Sequence, residues 1–272
     1  MYMADRNSTP RAADYGLPIY FDLQAKMGHT KHLGGVEATV RLADLCHFGP
    51  GKTILNVGSG AGNSAAYVVQ KYDCDVVGID VLPGMVQSAE RWAIENGLSD
   101  RMEFQVGDAQ ELPFNDNHFD AVVCESVNVF VPDKEKAMGE YVRVVKPGGY
   151  VGINEAIWLN DPSDSVEKII IDATGQEFQP SEVWEALLAD SGLVDLIFEN
   201  HPLKIKSEAR NQAGLLSTWS YLRIVARAIW LLIKDREFRS LYKHISTDPR
   251  KYFYYMGYGL YVGRKPENNT PE

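Results

Sequence analysis

The chain has 272 residues, a formal net charge of -10 and a pI near 5.1, a balance that disfavours a broad grip on nucleic-acid phosphates. Hydrophobic residues make up 45% of it, enough for a large core and against global disorder. No run approaches the ~20 apolar residues of a membrane span, and the polar start "MYMADRNSTPRAADYG" lacks a secretory apolar core, so a cytoplasmic protein is expected.

Taken in order, residues 1–48 read as an N-terminal cap, with "GGVEATVRLADLCHF" as an amphipathic helix. "TILNV" (53–57) is a strand, and a helix follows from about Asn63 to Lys71. "DVVGID" (75–80) is a second strand, and the next helix starts at Pro83 and stops at Gly97. "MEFQVGD" and "FDAVVCES" are strands, "KEKAMGEYVRVV" is a helix closed by "KPGG", and "YVGINEA" is a fifth strand. Helices near 163–173 and 181–191 lead to a sixth strand, "LVDLIFENHPLKIK". Residues 207–250 break the rhythm as a helical insert, and "YFYYMGYGLYVGRK" closes the fold as a seventh strand. This alternation predicts one α/β domain: a doubly wound, seven-stranded, mostly parallel sheet with helices on both faces. The three cysteines, Cys46, Cys74 and Cys124, form no CxxC pair, so neither a disulfide framework nor a metal site is expected.

"VGSGAGN" follows the first strand directly and opens a helix. Glycine there permits positive φ and close approach of a ligand to the backbone, at the carboxyl end of the sheet where α/β proteins bind ligands. Asp80 ends the next strand, 22 residues after Gly58, where a carboxylate can accept both hydroxyls of a ribose. The loop alone leaves the nucleotide open. The dinucleotide pattern fails from Gly58, because Asn63 stands at its last position, and fits loosely from Gly60 to Ala65.

The pieces "LNVGSGAG", "VVGIDVLPGMVQSA", "GDAQELPF", "FDAVVCES" and "RVVKPGGYV", in this order across about 53–153, resemble the class I S-adenosylmethionine-dependent methyltransferases. They are most similar to the branch holding ubiquinone, menaquinone and tocopherol methyltransferases. The resemblance implies a Rossmann-like methyltransferase fold, S-adenosylmethionine as cofactor and S-adenosylhomocysteine as product. It implies that Gly58, Ser59, Gly60 and Gly62 wrap the methionine part, and that Asp80 takes the ribose. Val81 and Leu82 then lie against the adenine, whose amino group Asp108 accepts beside the Ala109 N–H. Asn56 stands where the family usually carries an acid. Glu125 is expected near the cofactor.

The acceptor should meet the ends of strands four and five or the covering elements. Glu155 is the first candidate base, and His29 and His32 of the cap are others. Asn128, Trp158, Tyr20 and Trp219 are candidate acceptor contacts. Within the insert, 219–234 is apolar apart from Ser220, Arg223, Arg227 and Lys234. It reads as a lid or dimer helix, or as a membrane-surface helix; both point to a small apolar or aromatic acceptor such as a quinone, phenol or lipid. A nicotinamide-dependent oxidoreductase and a catalytically silent relative are the competing readings.

Overall fold

The computed structural model describes residues 12–15, 17, 20–174, 178–203, 218–236, 239 and 253–267. A short 3-10 turn (Ala12–Tyr15) precedes α1 (Tyr20–Met27) and α2 (Gly35–Leu45). The core follows as β1 (Thr53–Val57), α3 (Asn63–Tyr72), β2 (Asp75–Asp80), α4 (Pro83–Glu95), β3 (Met102–Val106) and β4 (Phe119–Glu125). A 3-10 turn (Asn128–Phe130) leads to α5 (Lys134–Val144), β5 (Val145–Trp158), α6 (Asp164–Thr174), β6 (Gln179–Pro180), α7 (Ser181–Asp190) and β7 (Val194–Pro202). The chain closes with α8 (Thr218–Lys234) and β8 (Met256–Arg264).

Seven strands run β3-β2-β1-β4-β5-β8-β7, and the two-residue β6 joins the end of β5. β8 lies antiparallel between β5 and β7, while the other pairings are parallel. The expected architecture is therefore present, with one short strand added. β5 is also longer than its apolar run. Its "KPGG" start is stitched to the chain end, with Gly148 N–H donating to Lys265 O (2.9 Å) and Lys265 N–H to Gly149 O (2.8 Å).

The central strands are apolar on both faces because helices cover both. One core joins α2, α3 and α4 to the sheet through Leu42, Val69 and Ala89. The other packs α5 and α7 against it through Met138, Tyr141 and Trp184. Among the described residues no helix is long and apolar enough to cross a membrane.

Chain order reverses between β1 and β4: β2 and β3 lie on one side of β1, and β4 and β5 on the other. A crevice opens at such a switch point, outside the carboxyl ends of the strands.

Candidate cofactor site

At this crevice lies a cavity of about 260 Å³. Its floor is the turn after β1. Gly58, Gly60 and Gly62 all have positive φ (67°, 53° and 78°), a region that side chains with a Cβ enter at a cost. Space makes glycine necessary at two of them. A Cβ on Gly58 would collide with Val127, and one on Gly60 would lie 2.6 Å from Thr30 Cγ2. The turn is thus wedged between the segment after β4 and the N-terminal cap. Ser59 lies on the cavity wall, and its buried hydroxyl has no hydrogen-bond partner in the protein.

Asp80 is placed by its own neighbours. Gly60 N–H donates to Oδ2 at 3.0 Å and Leu82 N–H donates to Oδ1 at 2.9 Å. Each oxygen keeps acceptor capacity for a further donor. Burial, only partly offset by these two amides, pushes its pKa up to about 6. Val81, Leu82 and Met85 continue the wall, followed by Asp108 and Ala109 after β3. Asp108 is braced by Gln110, whose backbone N–H donates to Oδ1 at 2.8 Å.

A polar cluster closes the other side. Thr39 Oγ1 donates to Glu125 Oε1 at 3.0 Å and sits 2.9 Å from His32 Nε2. His32 Nε2 also lies 3.0 Å from Gly35 O, which can only accept. Nε2 therefore carries a proton. In the neutral ring the lone pair is on Nδ1, which lies 3.4 Å from Ser64 Oγ. Asn56 and Glu125 share a smaller void with Thr39 and Ser64 beneath the cavity.

Most residues expected from the sequence come together here: Asn56, Gly58, Ser59, Gly60, Asp80, Val81, Leu82, Asp108, Ala109, Glu125 and His32 all line the cavity. Others are placed elsewhere. Gly62 caps α3 behind the lining. His29 is buried with Nδ1 3.3 Å from Asn63 Oδ1, and burial lowers its pKa to about 4, so it is neutral and weakly basic near pH 7. Asn128 is buried beneath the wall, and Trp158 packs on Phe178. Glu155 is 0% exposed and absent from the cavity wall. Its strand runs on to Trp158, so Glu155 sits inside the ladder opposite Gly259 and not at the strand's end. The side chains of Tyr20 and Trp219 lie outside the described residues.

The sequence reading missed Leu17, Phe21, Thr30, Ser64, Val127 and Phe130, which also line the cavity. A signal existed for two of them: "SVNVF" follows β4 at the carboxyl edge of the sheet, and its Val127 and Phe130 are apolar residues at a ligand-binding edge.

A methyltransferase-domain family model matches residues 55–153, the stretch that builds this floor and both acidic corners. Over this stretch the chain is matched as a methyltransferase domain. The cofactor of this methyltransferase domain is S-adenosylmethionine, and its unpartnered Ser59 hydroxyl and the free acceptor capacity of Asp80 fit a polar ligand here. The chain is 30% identical over 167 residues to phosphoethanolamine N-methyltransferase 3 of Arabidopsis thaliana, covering 61% of this chain and 34% of that protein. The match spans about a third of the length of this and two similar phosphoethanolamine N-methyltransferases. Two solved structures share the fold of the methyltransferase domain. The 4+2 cyclase SpnF aligns over 96% of this chain and 98% of its own, with TM-score 0.70 and 24% identity. Phosphoethanolamine N-methyltransferase 2 of Haemonchus contortus, solved with phosphomonomethylethanolamine and S-adenosylhomocysteine, aligns over 91% and 57%, with TM-score 0.68 and 20% identity.

Proposed function

We propose that this chain transfers a methyl group from S-adenosylmethionine to a small organic acceptor with an apolar or aromatic contact surface. The observation that carries the acceptor class is the split character of the cavity. Polar groups gather at the glycine turn, Asp80, Asp108 and Glu125, while Leu17, Phe21, Phe130, Val131 and Pro132 form an apolar part of the lining, with Gln24, Lys31 and Gln110 beside it. Phe21 and Phe130 pack edge to face within this lining, with centroids 5.0 Å apart.

When bound, the cofactor supplies an electrophilic methyl on a sulfonium. Asp80 would hold the ribose and Asp108 would accept from the adenine amine, while Val81, Leu82 and Met85 would cover the ring. Glu125, oriented by Thr39, offers a negative charge near Asn56, toward the amino-acid end. Phe21 and the cap exclude water from the reacting atoms. His32 is the proposed proton acceptor for an acceptor that carries a proton. Of the three acid–base candidates in the sequence, it alone lies on the cavity wall.

The nicotinamide reading is set aside because residues 55–153 match a methyltransferase-domain family. A neighbour named as a cyclase on the same fold means that the reaction must be measured. The test is incubation with methyl-labelled S-adenosylmethionine and a panel of phenols, quinones, amines and lipids, scored for S-adenosylhomocysteine and labelled product. Label on any small organic acceptor, lost in Asp80→Ala, supports the proposal. Tight cofactor binding without transfer to any acceptor supports the silent relative.

A further inference from the structure

Asn154 and Glu155, adjacent within β5, are both 0% exposed, and both are tied to the segment after β4 that lines the cavity. Asn154 Nδ2 donates to Leu33 O in the cap at 2.9 Å, and Ser126 N–H donates to Asn154 O at 2.6 Å. Glu155 Oε1 accepts from Val127 N–H (3.3 Å), Asn128 N–H (2.9 Å) and Asn128 Nδ2 (2.9 Å). Tyr141 O–H secures the far side of Asn128 by donating to Oδ1 at 2.9 Å. Val127, held by this carboxylate, is the side chain that occupies the space above Gly58.

A buried carboxylate without a cationic partner is costly, so its retention calls for a role. Burial pushes its pKa up to about 7, against the pull of the amides it accepts from. Among the described residues the titratable groups that interact with it are Cys124, Tyr141 and Tyr261, none of them a cation. The three bonds from Val127 and Asn128 all go to Oε1, the Val129 amide also favours the carboxylate, and Oε2 is buried with no partner. A base that served the acceptor would aim a free oxygen into the cavity, and Glu155 does not reach the wall.

Resting on the methyltransferase reading, we propose that Glu155 is a positioning residue: it holds the Val127–Asn128 turn by accepting its amides, seats Val127 against the glycine turn, and so sets the cofactor wall. It takes no proton from the acceptor.

Glutamine at this position keeps Oε1 and all three bonds, and places its amide nitrogen where Oε2 already lacks a partner. Rescue by the conservative variant therefore separates positioning from proton transfer. Glu155→Gln, Glu155→Ala and Val127→Ala would be compared by calorimetric titration with S-adenosylhomocysteine, and by hydrogen exchange at Val127 and Asn128 in the ligand-free protein. Glu155→Gln should bind within about threefold of wild type with unchanged exchange, whereas Glu155→Ala should bind about tenfold or more weakly with faster exchange at both amides. Val127→Ala should weaken binding by an intermediate factor. Glu155→Gln that binds normally but transfers no methyl would overturn the proposal in favour of a base. Unchanged exchange in Glu155→Ala would overturn it as well. Should the alanine variant fail to fold, tight binding by Glu155→Gln together with weakened Val127→Ala still supports it, and wild-type-like Val127→Ala refutes it. Failure of the wild-type protein to bind S-adenosylhomocysteine would sink the functional reading alone, since the exchange measurement needs no ligand.

Discussion

Along β1, Ile54, Leu55, Asn56 and Val57 are all buried, and the glycine turn that follows is wedged on both sides. Along α8, Leu222, Val225, Ile229, Trp230 and Ile233 stand exposed on one face, while Leu231 is buried against Met27 of α1. The same apolar residue types serve two ends. In the corner they pack against neighbouring strands and the segments above, and leave the Ser59 hydroxyl without a partner at the cavity. On α8 the apolar stripe is an open surface, joined to the cap at one end by Lys26–Asp235 (3.0 Å). The corner is where function should be fragile, and the exposed stripe is where it should be tolerant.

The largest expected effect is at Asp80. Removing its two acceptor oxygens with Asp80→Ala should weaken S-adenosylhomocysteine binding about 100-fold by calorimetry, the scale of two charge-assisted hydrogen bonds. Binding within about threefold of wild type would break the assignment of this corner to the cofactor. Next comes Gly58→Ala, which adds a Cβ in a positive-φ residue and against Val127. It should cost on the order of 2 kcal/mol of stability in thermal or urea unfolding, with weakened binding.

A third test uses pH. Ionised Asp80 is the form that accepts ribose hydroxyls, and its pKa is raised to about 6. Affinity should therefore climb about tenfold from pH 5 to pH 7, and Asp80→Asn should flatten the climb. Stability runs the other way. A carboxyl whose folded pKa is raised favours the folded state below its unfolded pKa, and that contribution is lost as pH rises through the folded value. Asp80 (about 6) and Glu155 (about 7) should together make the ligand-free protein less stable at pH 8 than at pH 5, and Glu155→Gln should reduce that slope. The smallest effect is expected on α8. Trp230→Ser and Ile233→Ser should each change stability by less than about 0.5 kcal/mol and leave cofactor affinity unchanged. A large loss of binding there would erase the contrast drawn above.

The sequence made the corner legible because local rules decide it. Strand boundaries at Thr53–Val57 and Asp75–Asp80 match the expected ones, since apolar runs there end on glycine or acid. Glu155 was misplaced because its position depends on where β5 stops, and that depends on pairing with β8 from more than a hundred residues away. α1 escaped for a similar reason: eight residues carry little periodicity, and Phe21 is held by Phe130, a tertiary partner. Val127 has no local signature at all, because its importance exists only against Gly58.

Leu33 is fastened on both sides of its peptide: its N–H donates to Ser126 Oγ at 3.2 Å and its carbonyl accepts from Asn154. The part of the cap before it that covers the cavity, from Leu17 through Phe21 to Thr30, has ties of its own: Ser88 Oγ donates to Ala25 O at 3.4 Å, Thr30 N–H donates to Asn63 Oδ1 at 3.3 Å, and Phe21 packs on Phe130. A cover fastened at several points must loosen them together before a ligand beneath it can leave. Where that loosening is slower than methyl transfer, the first catalytic cycle appears as a burst faster than all those after it.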